Sequence, residues 1–367
     1  MLVGNKKELT ALKIILWIYI ILCILIAGLN YGYVKSAPPA VAEVITWTWH
    51  FYENWVKTAF IITASILTIR IVGKTKRTRM RKRNLTGFIL AALVVHIFTP
   101  IIINNSELYM FAMPLPWTAA PLKLLFTESS FYESRFPGWG LTGITLTLIF
   151  YGLTTGIVFV GTVLFGRRWQ CSTICLFNGF ASEVFAPVFP LIGKKKKVSP
   201  KALRILMVTK WIMLAVAVFF AAYWILLLSG APIKEVHDLL STIENYKYLT
   251  AELLLMMSFW IAFTGRGYCY CCPLGTVLGG LSKISGQKIT TDHNKCIGCN
   301  QCNAACPMTV DIKGKASTGD PVTSIRCVGC GHCVDACPTQ TLQYSTTFTR
   351  VLGARMNIST DKSSGKQ

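Results

Sequence analysis

Apolar residues are not spread evenly along the chain; they gather into six runs separated by short polar or basic segments. The runs are Leu12–Tyr33, Trp55–Val72, Leu85–Ile103, Leu141–Phe165, Ile205–Ser229 and Tyr248–Thr264. Each approaches the ~20 residues that a helix needs to cross the hydrocarbon core of a bilayer. The second run extends back towards Val41 as one long helix projecting from the membrane. None alternates with period two, so the pattern predicts membrane helices and not a transmembrane barrel. The first run follows Lys6 and Lys7 but exceeds a signal-peptide core and has no small-x-small site close behind, so it reads as a retained helix.

Lys and Arg fall mainly in two of the connecting segments. One is Lys74–Arg83; the other holds Arg167, Arg168, Lys194–Lys197, Lys201 and Arg204. The opposite segments carry few cations and several rings: Trp47, Trp49, Tyr109, Trp117 and Trp139. The positive-inside rule places the basic segments and both termini in the cytoplasm, and the rings are expected at the outer interface. The net charge of +21 is thereby read as membrane anchoring, and no nucleic-acid module accompanies it. With 53% hydrophobic and 14% charged residues, the chain is too apolar to be soluble throughout.

After Thr264 the character changes. Residues 1–273 read as a membrane domain, 274–295 as a linker, 296–344 as a small Cys-rich unit and 345–367 as a polar tail. The Cys-rich unit contains Cys296-x2-Cys299-x2-Cys302-x3-Cys306-Pro307 and Cys327-x2-Cys330-x2-Cys333-x3-Cys337-Pro338. This is the spacing of bacterial two-cluster ferredoxins, in which the fourth Cys of each run serves the other cluster. It predicts one [4Fe-4S] cluster on Cys296, Cys299, Cys302 and Cys337, and a second on Cys327, Cys330, Cys333 and Cys306. A zinc ribbon would use pairs of Cys-x2-Cys and not triplets ending in Cys-Pro. Gly298, Gly329 and Gly331 leave room for backbone amides near the sulfurs, and His332 is expected at the surface.

Of the 14 Cys, six remain. Cys23 reads as helix packing. The others stand at matching places, at the basic ends of the fourth and sixth runs. One segment is Gly166-Arg167-Arg168-Trp169-Gln170-Cys171-Ser172-Thr173-Ile174-Cys175; the other is Gly265-Arg266-Gly267-Tyr268-Cys269-Tyr270-Cys271-Cys272-Pro273. Neither pair closes a four-iron site alone, but two helix ends at one depth supply four thiolates. Cys171, Cys175, Cys269 and Cys272 are therefore candidate ligands of a third Fe–S cluster, with Cys271 a spare or a substitute.

These features together resemble the membrane polyferredoxins of the NapH/NosR/CcoG type, over about residues 138–344. Leu176 stands where that family has Pro, and the second motif is one residue short. The resemblance implies electron transfer between quinol, cytoplasmic clusters and external enzymes, or assistance in assembling respiratory enzymes. It also directs attention to covalent flavin. Thr142-Gly143-Ile144-Thr145 is similar to an attachment pattern with Ile for Ala, but reads as a plain helix start. Neither covalent FMN nor haem is expected on this chain.

His96 and Glu252 fall within apolar runs and are candidates for a quinone or proton site, because ionisable groups at membrane depth are functional by default. The resulting expectation is an α-helical polytopic membrane protein of the cytoplasmic membrane with an α+β ferredoxin-like domain on the cytoplasmic side. It would relay electrons between a cytoplasmic redox protein or enzyme and a membrane or external cofactor-bearing subunit. Two alternatives are a quinol dehydrogenase subunit and a redox assembly or sensing factor. No nucleotide loop, Rossmann fingerprint or nucleophile–base pair accompanies these features.

Overall fold

A computed structural model describes residues 6–73, 78–106, 108–119, 122, 140–193, 198–229 and 236–353. Five helices among the described residues are long and apolar enough to cross a membrane. They are α1 (Lys6–Tyr33), α2 (Pro39–Gly73), α3 (Arg79–Ile103), α4 (Gly140–Phe165) and, beyond the short α5 (Gly179–Val184), α6 (Pro200–Leu228). The second apolar run does begin early, since α2 is 35 residues long. Ser199 caps α6 by accepting from Ala202 N at 3.2 Å, and Pro200 at the first helical position costs no hydrogen bond.

Residues 237–262 form α7, through His237–Lys247, Tyr248–Leu254 and Leu255–Ala262. It contains the sixth apolar run but is not among the five. Its middle carries Glu244, Lys247 and Glu252, and Glu252 is buried with the Lys247 ammonium 2.7 Å away. A polar middle paired inside the protein leaves too short an apolar length for the composition of a simple span.

The outward faces of the spans are apolar. Ile14, Leu25, Leu90, Ile102, Ile205 and Trp211 are all exposed, Ile102 to 80%, as expected where lipid replaces water as the neighbour. The inward faces meet around Tyr19, whose ring packs edge-on against Phe180 of α5 at 5.9 Å and tilted against Trp260 of α7 at 6.3 Å.

The expected outer belt of rings holds only in part. Trp47 is exposed, but Trp49 and Trp117 are buried; Trp139 lies outside the described residues. The 108–119 segment dips into the bundle, where Trp117 Nε1 donates to Tyr268 OH at 3.0 Å. Non-helical backbone is tolerated at this depth because protein, not lipid, surrounds it.

The segment read as a linker is structured. It contains α8 (Pro273–Ile284), whose Leu274, Leu278 and Ser282 are buried, and strand β1 (Lys288–Thr291). Strand β1 pairs antiparallel with β2 (Leu342–Ser345), Lys288 opposite Ser345. A helix that buries one side against the membrane domain leaves no free tether. The beginning of the tail is also held: Thr346 Oγ1 donates to Leu164 O at 2.7 Å, and Phe348 packs on Phe165.

Candidate functional site

The two halves of the Cys-rich unit repeat one backbone design. Gly298 and Gly329 take left-handed φ values of 67° and 66°, and Asn300 and Gly331 take 62° and 75°. Each pair precedes a one-turn helix, α9 (Gln301–Ala305) or α11 (His332–Ala336), with α10 (Lys313–Thr318) between them. The left-handed turns curl the chain around a small cavity. One cavity is lined by Cys296, Cys299, Cys302 and Cys337; the other by Cys306, Cys327, Cys330 and Cys333. Burial pushes the Cys333 thiol up, and its neighbours Cys330, Cys327 and Cys306 add to that. Burial also opposes ionisation of Cys337, but hydrogen bonds from Thr341 and Thr339 outweigh it and bring the thiol down to about 7. Four cysteines line each cavity, a donor set that suits an iron–sulfur cluster.

The loops after α4 and α7 approach one another at the end of the bundle that faces this unit. Burial raises the Cys272 thiol, and Cys269, Cys171 and Cys175 raise it further. The two loops meet directly: Arg266 Nη1 donates to Cys171 O at 2.6 Å and Arg167 Nη2 to Cys269 O at 3.4 Å, so the Cys171–Cys175 and Cys269–Cys272 segments lie side by side. Gly179 allows the approach: a Cβ there would lie 2.8 Å from Cys175 Cβ and 2.9 Å from Cys171 O. Cys272 caps α8, its sulfur accepting from Gly275 N at 3.3 Å.

The Arg of each Gly-Arg lead-in turns back onto the sulfurs, a role that the sequence reading did not assign. Arg167 Nε donates to Cys171 Sγ at 3.2 Å, and Arg266 Nη1 lies 3.8 Å from Cys269 Sγ. Asn178 Nδ2 also donates to Cys269 Sγ, at 3.1 Å. The matched position of Arg167 and Arg266 in the two motifs was the available signal.

The ferredoxin unit is seated directly on these loops. Asn84 Nδ2 donates to Cys330 O at 2.9 Å, Ser172 Oγ to Val328 O at 2.8 Å and Gln287 Nε2 to Cys327 O at 3.0 Å. His332, expected at the surface, is instead an interface residue, with Nε2 2.8 Å from Glu183 Oε2. Gly329 and Gly331 permit this seating: added Cβ atoms would lie 2.6 Å from Arg168 Cβ and 2.7 Å from Met80 Cβ. Burial opposes the Glu183 charge, but His332, Arg266 and Arg81 outweigh it and hold the carboxyl below its usual range.

A cavity of about 540 Å3 lies inside the bundle. His96 and Glu252 both line it, as do the ion-paired Glu53 and Lys57, whose charged atoms are 2.7 Å apart. His96 is buried, its ring stacks parallel to Tyr109, and neither ring nitrogen has a hydrogen-bond partner among the described residues. Gln170, Thr173, Ile174 and Phe177 close the other end, so one wall of the cavity is the loop that carries Cys171 and Cys175. The backbone of 142–145 is part of α4.

Residues 288–338 match the family model of the 4Fe-4S dicluster domain. The chain therefore combines an iron–sulfur domain with membrane-type helices, which describes a membrane-associated electron-transfer protein. An uncharacterized protein of Methanocaldococcus jannaschii is 29% identical over 166 residues, 44% of this chain and 61% of that protein. The chain thus matches less than two thirds of that relative's length. No solved structure matches.

Proposed function

We propose that the protein is a cytoplasmic-membrane electron relay, with all clusters on the cytoplasmic side and three cysteine sets in series. Cys296, Cys299, Cys302 and Cys337 would hold one [4Fe-4S] cluster, and Cys306, Cys327, Cys330 and Cys333 the second. Cys171, Cys175, Cys269 and Cys272 would hold a third Fe–S cluster. Bound clusters supply one-electron redox steps without bond-making. The observation that carries this reading is the seating of the ferredoxin unit on the helix ends that present Cys171 and Cys269: Ser172 Oγ donates to Val328 O, and Glu183 joins Arg266 to His332. Asn84, Ser172, Glu183 and Gln287 fix that spacing.

The membrane partner proposed is quinone or quinol, with the protein acting as a quinol-linked subunit of the NapH/NosR/CcoG type. The cavity beside the Cys171 loop favours this reading. His96 offers a ring N–H or a bare nitrogen to a carbonyl or hydroxyl, and the walls around it suit an apolar ring. In this reading α7 completes a six-helix domain. The hydrocarbon core is about 30 Å thick and the three sets lie at one end, so delivery to the outer face requires quinone or a cofactor-bearing subunit. A cytoplasmic redox protein would dock at the ferredoxin unit.

Purified, cluster-loaded protein should exchange electrons with a short-chain quinone. An inhibitor-sized quinone analogue should block that exchange without displacing iron. Absence of any quinone-dependent absorbance change, in protein with full iron content, would remove the quinone from the proposal.

A further inference from the structure

The three cysteine sets differ in the charge that surrounds their sulfurs. In the ferredoxin unit the hydrogen-bonding partners are neutral: Val310 N donates to Cys306 Sγ at 3.4 Å, and the hydroxyls of Thr339 and Thr341 are each 3.5 Å from Cys337 Sγ. At the membrane-edge set two guanidinium groups are enclosed with the sulfurs. Arg167 is 3% exposed and Arg266 is 1% exposed. Arg167 is pinned in place, because its Nη1 donates to Ile325 O at 2.9 Å and its backbone N to Gln287 Oε1 at 2.7 Å. Arg266 is pinned by Cys171 O, Ser172 Oγ and Glu183. Neither can swing out to water without breaking these contacts.

We propose that Arg167 and Arg266 raise the reduction potential of the cluster at Cys171, Cys175, Cys269 and Cys272 above those of the two ferredoxin clusters, so that electrons entering at the ferredoxin unit run towards the membrane. The inference rests on the three-site reading above. Reduction adds one negative charge to a site. A fixed positive charge and a donor aimed at a thiolate both favour the more negative state, and the effect is strong where water is excluded. Burial alone acts in the opposite sense, since a dry site disfavours added charge. Glu183 offsets one of the two cations through its pair with Arg266, which leaves Arg167 as the uncompensated one. On the ferredoxin side Val310 N and the hydroxyls of Thr339 and Thr341 contribute dipoles only, and no full charge is hydrogen-bonded to those sulfurs among the described residues.

The electron count is simple. One electron leaves the ferredoxin set at Cys306, Cys327, Cys330 and Cys333, and the same electron reduces the membrane-edge set. A soluble one-electron donor of low potential restores the first. No bond or proton changes partners in this step.

The test is an EPR-monitored redox titration of the full chain with all sites loaded. C171S first assigns the membrane-edge signal by its loss. In wild type that signal should have the highest midpoint of the three. In R167Q it should fall by more than the signal of the cluster at Cys327, whose loop Arg167 also touches through Ile325 O, and R167K should restore most of the shift by returning the charge. E183Q keeps the side-chain shape and removes the offsetting negative charge, so the same signal should rise; this variant decides the matter if R167Q does not load. A midpoint below both ferredoxin signals in wild type overturns the inference. So does an R167Q signal that stays put at full iron content, an R167K shift equal to that of R167Q, or an unmoved or lowered signal in E183Q. Absence of any Cys171-dependent signal would instead remove the third site itself.

Discussion

Arg266 Nη2 donates to Glu183 Oε1 at 2.6 Å in a site where both side chains are almost wholly enclosed. The second carboxylate oxygen meets His332 of the ferredoxin unit and Asn84 of α3. A single side chain on α5 therefore ties the Cys269 loop, a membrane helix and the iron–sulfur domain into one polar knot.

Glu183→Ala should cost about 3–5 kcal/mol, because it strands a buried guanidinium without its partner. Thermal unfolding and limited proteolysis between residues 285 and 295 report it: the transition should drop and cleavage should rise. A transition unchanged from wild type would mean that the pair contributes little to seating the domain.

Iron content distinguishes Cys171, Cys175, Cys269, Cys271 and Cys272. Fully loaded protein should hold about twelve iron atoms per chain if all three sets carry four-iron clusters. Cys171→Ser should reduce that to about eight, whereas Cys271→Ser should leave it unchanged. If Cys271→Ser lowers the count and Cys272→Ser does not, the ligand assignment moves by one residue.

Gly179→Ala should disturb the same set without removing a sulfur. The added methyl meets Cys175 Cβ and Cys171 O, both on a short constrained loop, and overpacking of this kind costs about 1–3 kcal/mol. Iron should fall below the wild-type count while the ferredoxin signals persist in the EPR spectrum. Wild-type loading would show that the loop yields more easily than its contacts indicate.

His96→Leu should slow quinone-dependent oxidation by about tenfold, the value of one hydrogen bond near 1.4 kcal/mol. It should not lower the unfolding temperature, since neither ring nitrogen has a hydrogen-bond partner of normal geometry among the described residues and an apolar replacement leaves no polar atom stranded. Stopped-flow traces with a soluble quinol provide the rate. Loss of stability with an unchanged rate would make His96 a packing residue.

Sidedness is read from two exposed residues: Ser106 follows the last turn of α3, whose first turn meets Asp335 of the ferredoxin unit, and Ser317 lies in α10 of that unit. In otherwise labelled-silent cells, Ser106→Cys should react with an impermeant maleimide, and Ser317→Cys should react only after the membrane is opened. The reverse pattern would invert the orientation inferred from the basic loops.

Much of this protein was legible without coordinates, and the reason is local chemistry. Apolar runs of bilayer length specify membrane helices because the backbone in lipid must satisfy its own hydrogen bonds. The repeated Cys spacing specifies the ferredoxin unit because three sulfurs of each set come from a single short loop, and the dicluster match over residues 288–338 agrees with that domain. What spacing could not reveal was long-range. Trp117 reads as an interface ring until the chain folds back and its indole meets Tyr268. His332 reads as a surface residue until its one-turn helix docks on Glu183. Residues 274–295 read as a linker until one face of α8 is buried. The matched lead-ins mark Cys171, Cys175, Cys269 and Cys272 as one candidate set, but the aim of Arg167 and Arg266 at Cys171 and Cys269 depends on how two helix ends about a hundred residues apart in sequence pack together. Contacts of that kind are set by how the helices pack, and no local pattern encodes them.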